Sequence, residues 1–330
     1  MVSVFAMPMN SQAGIVLDFT GDTFFASNPV ARAALEQAAA DINGAVDFSW
    51  LGAVTDDTIT GTNGGSSADF TFSKTYIDPA TGLSTTVPNT QLPVGQVTVF
   101  AGARTFAGNI LGDGNAGGTN IAVNLTDAMD GTLPGALANA VANEQHSRGS
   151  APVVLTAGGA IAGTNVSFAQ GLHSGSVAFN DAANWHFDHT TAVAAGLNDF
   201  YSVAIHELLH VIGFGTSESW DALISGTNYL GANGIAANGG SGTGLAAADG
   251  DHLAFGTTSP RIIDGVLQEV ALDPNLTLGT RKLLTELDLA VLRDIGLKTF
   301  DLTPIPEPSS LTLLALGGLA FCGRRRKLTL

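Results

Sequence analysis

The residues best suited to chemistry lie in one short stretch, His206-Glu207-Leu208-Leu209-His210. On a helix, positions i and i+4 project from the same face one turn apart, so His206 and His210 can bind one metal ion. Glu207 is rotated by about 100° and lies beside the two imidazoles. Zinc hydrolases use such a carboxylate as the general base that takes a proton from the metal-activated water. The stretch therefore predicts a metal-dependent hydrolytic site.

A catalytic zinc site needs a third protein ligand, and the sequence offers more than one. The extended pattern His-Glu-x-x-His-x-x-Gly-x-x-His would place this ligand at Thr216, which is a poor zinc ligand. The single histidine downstream of His210 is His252, and we expect it to complete the site. The alternative is a gluzincin-type peptidase, in which Glu269 or Glu286 is the third ligand.

The motif needs a helix to carry it and a loop to return His252 to it. The pattern predicts a helix over 199–212, with Asp199 as its N-cap and Gly213 as its end. The segment 216–251 is rich in Gly, Asn and Ser and shows little periodicity, so we expect a long loop or an insertion there.

The rest of the chain separates into a β-rich part and a few helices, which predicts an α+β fold with a mixed sheet. The predicted elements are a strand over 14–19, a helix over 29–43 ended by Gly44, strands over 70–76, 94–101 and 176–179, a helix over 133–144, and a last helix after Thr285 with Asp288 in a capping box. The apolar face expected for the first helix consists of Val30, Ala34, Leu35, Ala38 and Ile42.

Charge and cysteine content exclude several classes of function. The 330 residues carry a formal net charge of −16, and four of the 13 basic residues lie in the last seven positions. The remaining cations are too few to form a phosphate-binding face, so we expect no nucleic-acid partner. The single cysteine, Cys322, lies in the C-terminal apolar run, so the body of the protein has no disulfide and no thiol for a cysteine switch.

Both ends of the chain carry features of export. Residues 1–13 are mildly apolar and predict a truncated signal peptide. Near the other end, Pro306-Glu307-Pro308 is followed by an apolar run over 311–323 and a basic cluster over 324–327. This run is short for a bilayer crossing, and we expect it to tether the protein transiently to the membrane.

The motif and its surroundings resemble the metzincin metalloproteases, and in particular the leishmanolysin-like arrangement with an insertion before the third histidine. The matching positions are His206, Glu207, His210, Gly213 and His252, with 177–181 and Trp185 upstream and 272–274 and 284–296 downstream. The resemblance implies a metzincin-like zinc protease domain with an active-site helix and a C-terminal helix. It departs at the methionine turn, because no Met follows His252 and Leu272 stands at the equivalent place.

The last 25 residues or so resemble PEP-CTERM sorting signals, and the chain as a whole is similar to PEP-CTERM-tagged bacterial metalloproteases. This resemblance implies handling by exosortase-type machinery. It also implies export through the inner membrane to the cell surface or extracellular matrix of a Gram-negative bacterium.

Other residues carry weaker signals. The calcium hypothesis rests on three acids in Gly-rich loops, Asp113, Asp249 and Asp251. A second ion near Asp188 would use His186 and His189. Trp220 and Tyr229 are candidates to line a substrate cleft, with ordinary loop packing as the alternative.

These observations lead to a hypothesis for the whole chain. Residues 14–303 form an exported zinc metalloendopeptidase domain, with an upper subdomain over 14–213 and a lower one over 214–303, followed by a sorting tail over 304–330. We expect Zn²⁺ as the cofactor and a protein or peptide as the substrate. A different class of function stays open, namely a surface or matrix protein that keeps the motif without turnover.

Overall fold

The computed structural model describes residues 13–54, 57–60, 67–88, 91–126, 148, 156–160 and 167–302. The fold is mixed α+β with several small sheets and few helices, as predicted. The helices are α1 (Phe24–Ser27), α2 (Pro29–Ala45), α3 (Phe200–Val211), α4 (Glu218–Asp221), α5 (Ala232–Ala237) and α6 (Glu286–Asp294).

The strands are shorter and more numerous than the helices. They are β1 (Gly14–Asp18), β2 (Val46–Asp47), β3 (Asp57–Thr60), β4 (Ser67–Ile77), β5 (Ser84–Val87), β6 (Gln96–Arg104), β7 (Gly112–Ala116), β8 (Gly118–Thr126), β9 (Thr156–Ala160), β10 (Ser167–Gln170), β11 (Ser174–Asn180), β12 (Trp185–His186), β13 (Asn198–Asp199), β14 (Ile224–Ser225), β15 (Asn228–Tyr229), β16 (Thr258–Pro260), β17 (Leu267–Glu269) and β18 (Lys298–Thr299).

A four-stranded sheet with the order β1-β6-β11-β7 supports the site. The first three strands are parallel, and β7 is antiparallel to β11 at the sheet edge. Val177 pairs with Ala101 on one side and with Gly114 on the other. The strands predicted over 14–19, 94–101 and 176–179 are therefore confirmed, and the structure shows that they are neighbours in one mixed sheet.

The second sheet is antiparallel. It contains β3, β4 and β5 in that order, and β8 also pairs with β4. Five two-stranded sheets complete the described part of the fold. They pair β9 with β10, β12 with β13, β14 with β15, β16 with β17, and β2 with β18.

Helix α2 covers the main sheet and begins at Pro29, where a missing N–H costs nothing. The side-chain amide of Asn43 accepts from the N–H of Ile15 (2.7 Å) and donates to its carbonyl (3.1 Å), which ties the helix to β1. Two details of the prediction are wrong. Gly44 lies inside the helix, and Val30 is 49% exposed.

The hydrophobic core continues from the sheet into the helices. Phe200, the first residue of α3, packs against Phe179 of β11 (ring centroids 4.6 Å apart), Phe25 (6.1 Å) and Trp185 (5.2 Å). One buried cluster includes residues on both sides of Gly213. Aromatic packing around Phe200 therefore fixes the position of the first turn of α3.

The segment 216–251 contains α4, α5 and the β14–β15 hairpin, so the expectation of an irregular loop is wrong in part. Elements of two to six residues are too short to show a period in the sequence. Trp220 and Tyr229 are buried in this segment, with their rings 5.7 Å apart, and Trp220 also packs against Phe214. These two residues are therefore core residues, in agreement with the alternative prediction of ordinary packing and not with a role in lining the cleft.

Three predicted features lie outside the described residues. They are most of the signal peptide over 1–13, the helix over 133–144 and the tail over 304–330. Within the described ranges, no helix has the length and apolar character needed to cross a membrane.

Candidate metal centre

Helix α3 is held in place at both ends. Its N-cap, Asp199, accepts from the backbone N–H (3.1 Å) and the hydroxyl (2.7 Å) of Ser202, as predicted. The same carboxylate forms a two-point ion pair with Arg281, at 2.7 and 3.0 Å. The helix ends before Gly213, whose φ of 104° suits glycine and whose N–H donates to the carbonyl of His210 (3.0 Å).

The structure brings His206, His210 and His252 together at one face of this helix. Their Nε2 atoms lie 3.1 Å (206 to 210), 3.2 Å (206 to 252) and 3.3 Å (210 to 252) apart. Within the described part of the chain, this triad is the group of three potential metal-ligand side chains that converges. Residues 42 positions apart in sequence thus meet at one point.

Each imidazole is oriented by its other ring nitrogen. The three Nδ1 contacts are those of His206 with the carbonyl oxygen of Ala271 (2.8 Å), His210 with that of Phe214 (2.7 Å), and His252 with Oδ2 of Asp249 (3.0 Å). Because these oxygens accept, each Nδ1 carries a proton and, in a neutral ring, Nε2 keeps its lone pair.

Three convergent lone pairs fit a cation. Neutral rings of this tautomer cannot hydrogen-bond to one another through Nε2, so the short separations among these atoms are repulsive without a shared partner. Zinc bound tetrahedrally by nitrogen at about 2.0–2.1 Å would set the nitrogen atoms roughly 3.3 Å apart. The residues present therefore suit zinc, with a fourth position left for another ligand.

Burial keeps the helix histidines neutral. It lowers the pKa of His206 well below its usual value and the pKa of His210 to about 4. Neighbouring imidazoles contribute to both shifts in the same direction. At neutral pH both side chains therefore offer a lone pair without first losing a proton.

A buried turn at Ala271 and Leu272 supports the triad through backbone hydrogen bonds. The carbonyl of Ala271 accepts the hydrogen bond from Nδ1–H of His206, and the Ala271 N–H donates to the carboxylate of Asp288 (3.1 Å). The carbonyl of the fully buried Leu272 accepts from the N–H of Leu253, which follows the third histidine (3.1 Å). The capping box predicted for α6 is confirmed, and its Asp288 also holds this turn.

Gly215 is a site residue that the sequence analysis missed. Its φ is +74°, and a β-carbon there would lie 2.0 Å from the carbonyl oxygen of Asp251 and 3.0 Å from Nδ1 of His210. The chain can therefore bring His252 against α3 only with glycine at this position. The neighbouring Thr216 is not a ligand, since its hydroxyl donates to the carbonyl of His210 (2.6 Å).

Glu207 lies beside the triad in a cleft of about 1160 Å³. The cleft is lined by β7 and the loop before it, by α3, and by parts of the segment 271–282. The side chain of Glu207 is only 6% exposed, and burial raises its pKa to about 8. The charge of Asp113 contributes to this rise, and a backbone hydrogen bond from Gly114 offsets part of it.

The other predicted ligands do not join the triad. Glu269 pairs with the buried Lys282 (3.1 Å), and Glu286 is exposed in the first turn of α6. For the calcium hypothesis, Asp113 pairs with Arg104 (2.5 Å). The described residues show no convergent group that contains these acids.

The second-ion hypothesis also lacks a converging set. His186 contacts the backbone carbonyl of Asp188 through Nε2 (2.9 Å), and His189 stacks on Tyr201 with ring centroids 6.3 Å apart. Among the residues that the structure describes, neither histidine belongs to a group of three ligands.

Comparison with known proteins identifies one feature. Residues 304–327 match the family model of the PEP-CTERM protein-sorting motif. The match indicates a PEP-CTERM-tagged, exported and surface-targeted protein of a Gram-negative bacterium that is recognised by exosortase-type sorting machinery. Neither the curated proteins nor the solved structures include a significant match.

Proposed function

We propose that this protein is an exported zinc-dependent endopeptidase. The observation that best supports the proposal is the convergence of three Nε2 atoms within 3.3 Å of one another, beside a buried carboxylate and open to a cleft of about 1160 Å³. A cleft of this size is large enough for several side chains of an extended peptide. The metzincin resemblance agrees with this ligand set, although Leu272 stands where metzincins have methionine.

The proposed ligands are His206, His210 and His252, all through Nε2. Their protonated Nδ1 atoms are fixed by oxygen acceptors, which orients the rings and makes them better donors to a metal. A bound zinc ion would supply Lewis acidity, which polarises the scissile carbonyl and allows water to react near neutral pH.

Glu207 is the proposed general base. Its carboxyl group would be held in the ionised form by the positive charge of a bound zinc ion. The carboxylate accepts a proton from the attacking water and donates it to the amine nitrogen as the peptide bond breaks. The position next to His206 on α3 keeps this carboxylate at the cleft surface, and the packing of β7 over the helix limits its access to bulk water.

The first test is metal analysis of the purified protein together with proteolysis of casein and a peptide library. We expect one zinc per chain and cleavage that stops when a chelator removes the metal. Zinc binding without any cleavage would instead favour the surface or matrix protein without turnover.

The second test replaces the proposed base. We expect Glu207→Gln to keep its zinc and to lose peptidase activity by about 10³-fold, within the range for a lost general base. Glu218→Gln, at an exposed acid on α4, is the matched control and should leave activity unchanged. Full activity in Glu207→Gln would contradict the assignment.

A third comparison separates the two ligand sets. We expect His252→Ala to lose zinc and Glu269→Ala and Glu286→Ala to retain it. The opposite result would favour the gluzincin alternative.

A further inference from the structure

Small residues occupy alternate positions of the edge strand β7. Side chains in a strand point alternately to its two faces, so Gly112, Gly114 and Ala116 share one face. Helix α3, which carries His206 and His210, packs against this strand. Asp113 and Asn115 lie on the other face, where the Asn115 amide donates to Asp113 (2.8 Å).

The two glycines face different parts of Glu207. A β-carbon at Gly114 would lie 2.2 Å from the backbone carbonyl oxygen of Glu207 and 2.9 Å from its Cα. A β-carbon at Gly112 would lie 2.6 Å from Oε1 and 2.9 Å from Cδ of the Glu207 side chain. Neither glycine has a positive φ, so the strand needs them for space and not for backbone conformation.

We infer that Gly112 is a positioning residue for Glu207, because the space left by its missing side chain is where the Glu207 carboxylate lies. A methyl group at 112 and the carboxylate cannot occupy the same volume. The end of a glutamate side chain is flexible, whereas the backbone of α3 is not, so the carboxylate moves first. Gly114 has a different role, since it sets how closely the strand approaches the helix backbone.

Another glycine of the same sheet, Gly175, faces packing atoms and not the carboxylate of Glu207. A β-carbon at Gly175 would lie 2.5 Å from the Asn115 carbonyl oxygen and 2.5 Å from a methyl group of Val211. Substitution there, as at Gly114, strains the fold. At Gly112 the clash is with Glu207, a residue whose position decides the rate of the proposed reaction.

The inference rests on the proposed role of Glu207, and Gly112→Ala tests it. We expect a kcat about 10²-fold lower, because displacement of a reacting group by about 1 Å has effects of this size. We expect KM within about twofold of the parent value, since a displaced base does not weaken substrate binding. Zinc content and melting temperature should be unchanged.

Two other glycines provide matched comparisons. Gly114→Ala should lower the melting temperature, because its methyl group meets helix backbone. At Gly44 an added methyl group meets nothing within 4 Å, so Gly44→Ala should cause no measurable loss of stability or activity. If Gly112→Ala lost stability and zinc together with activity, as a packing defect does, the inference would be overturned.

A double-mutant cycle shows whether the effect passes through Glu207. In a Glu207→Asp background the carboxylate is one methylene shorter and withdraws from the strand. We expect Gly112→Ala to reduce kcat by less than about threefold in that background. A persisting hundredfold loss would mean that the methyl group acts elsewhere.

Crystal structures of the parent and of Gly112→Ala give an answer that does not depend on turnover. We expect Cδ of Glu207 to be displaced away from β7 while the three histidine Nε2 atoms superpose. An unmoved carboxylate with a retreated strand would overturn the inference. If the parent bound zinc but cleaved no peptide, the proposed function would fail, while this structural comparison would still decide the role of Gly112.

Discussion

The two halves of the histidine triad reach the same point by different means. The helix half (His206 and His210, with the neighbouring Glu207) lies on α3, where Glu207 and His210 are buried, and its imidazoles donate to backbone carbonyls. The loop half (Asp249 and His252) is more open, with side chains 46% and 20% exposed, and its imidazole donates to a carboxylate.

Because the two halves differ in burial, substitutions in them should affect metal affinity and folding stability to different degrees. The helix half is part of the core, so its geometry follows from helix periodicity and from burial. The loop half depends on a few contacts and on one close approach at Gly215. We therefore expect changes in the helix half to affect both metal affinity and folding, and changes in the loop half to affect mainly metal affinity.

Removal of one ligand from each half gives the largest expected effect. We expect His210→Ala and His252→Ala each to weaken zinc binding by roughly 10³-fold, since each ligand contributes several kcal/mol. The metal-free proteins should differ. His210→Ala leaves a cavity and an unpaired carbonyl at Phe214, so it should lose about 1–3 kcal/mol of stability.

Zinc affinity by chelator competition and unfolding of the metal-free proteins check this prediction. Removal of the His252 imidazole, which is 20% exposed, should leave the unfolding free energy of His252→Ala close to that of the parent. Equal destabilisation by both variants would remove the distinction between the two halves.

The pH dependence of the metal-free protein tests the burial of the helix half. The folded-state pKa of Glu207 is raised from 4.5 to about 8, so between these values the folded protein keeps a proton that the unfolded chain loses. Stability is therefore lost as pH rises through this window. We expect metal-free Glu207→Gln to be more stable than the parent by up to about 4 kcal/mol at pH 8.

Calorimetry from pH 4 to pH 8 measures this difference. It should vanish near pH 4, where the carboxyl is protonated in both states. Glu218→Gln, which replaces an exposed acid, should show no such trend, and a constant difference for Glu207→Gln would contradict the prediction.

Gly215→Ala tests how the loop half reaches the helix. Its β-carbon would lie 2.0 Å from the Asp251 carbonyl oxygen, so the loop with His252 must move away. We expect zinc affinity to fall by about 10–100-fold. Gly226→Ala is the matched control, because it has a similar positive φ (62°) and an added methyl group there contacts nothing within 4 Å. Equal losses of affinity in both variants would point to backbone strain alone.

Asp249→Asn has the smallest expected effect. The carboxylate that orients His252 becomes a weaker, neutral acceptor, and we expect zinc to bind about 10-fold more weakly. Glu36→Gln, at an exposed acid paired with Arg32 on α2, should leave zinc affinity unchanged. An affinity equal to that of the parent would mean that the loop alone orients the ring.

Local patterns predicted the local elements of the fold. Asp199 and Gly213 mark the two ends of α3, and Thr285 with Asp288 begins α6, because caps act within a few residues. The short elements of 216–251 escaped prediction because they are stabilised by the burial of Trp220 and Tyr229 rather than by periodicity.

The sequence by itself determined the pair His206 and His210, since their spacing places both on one helix face. It favoured His252 as the third ligand and left Glu269 and Glu286 as alternatives. Only the tertiary structure decided that this loop meets the helix at Gly215 and that Gly112 faces Glu207. The reason is physical. The need for an empty volume depends on what packs against a glycine, and that neighbour lies far away in the chain.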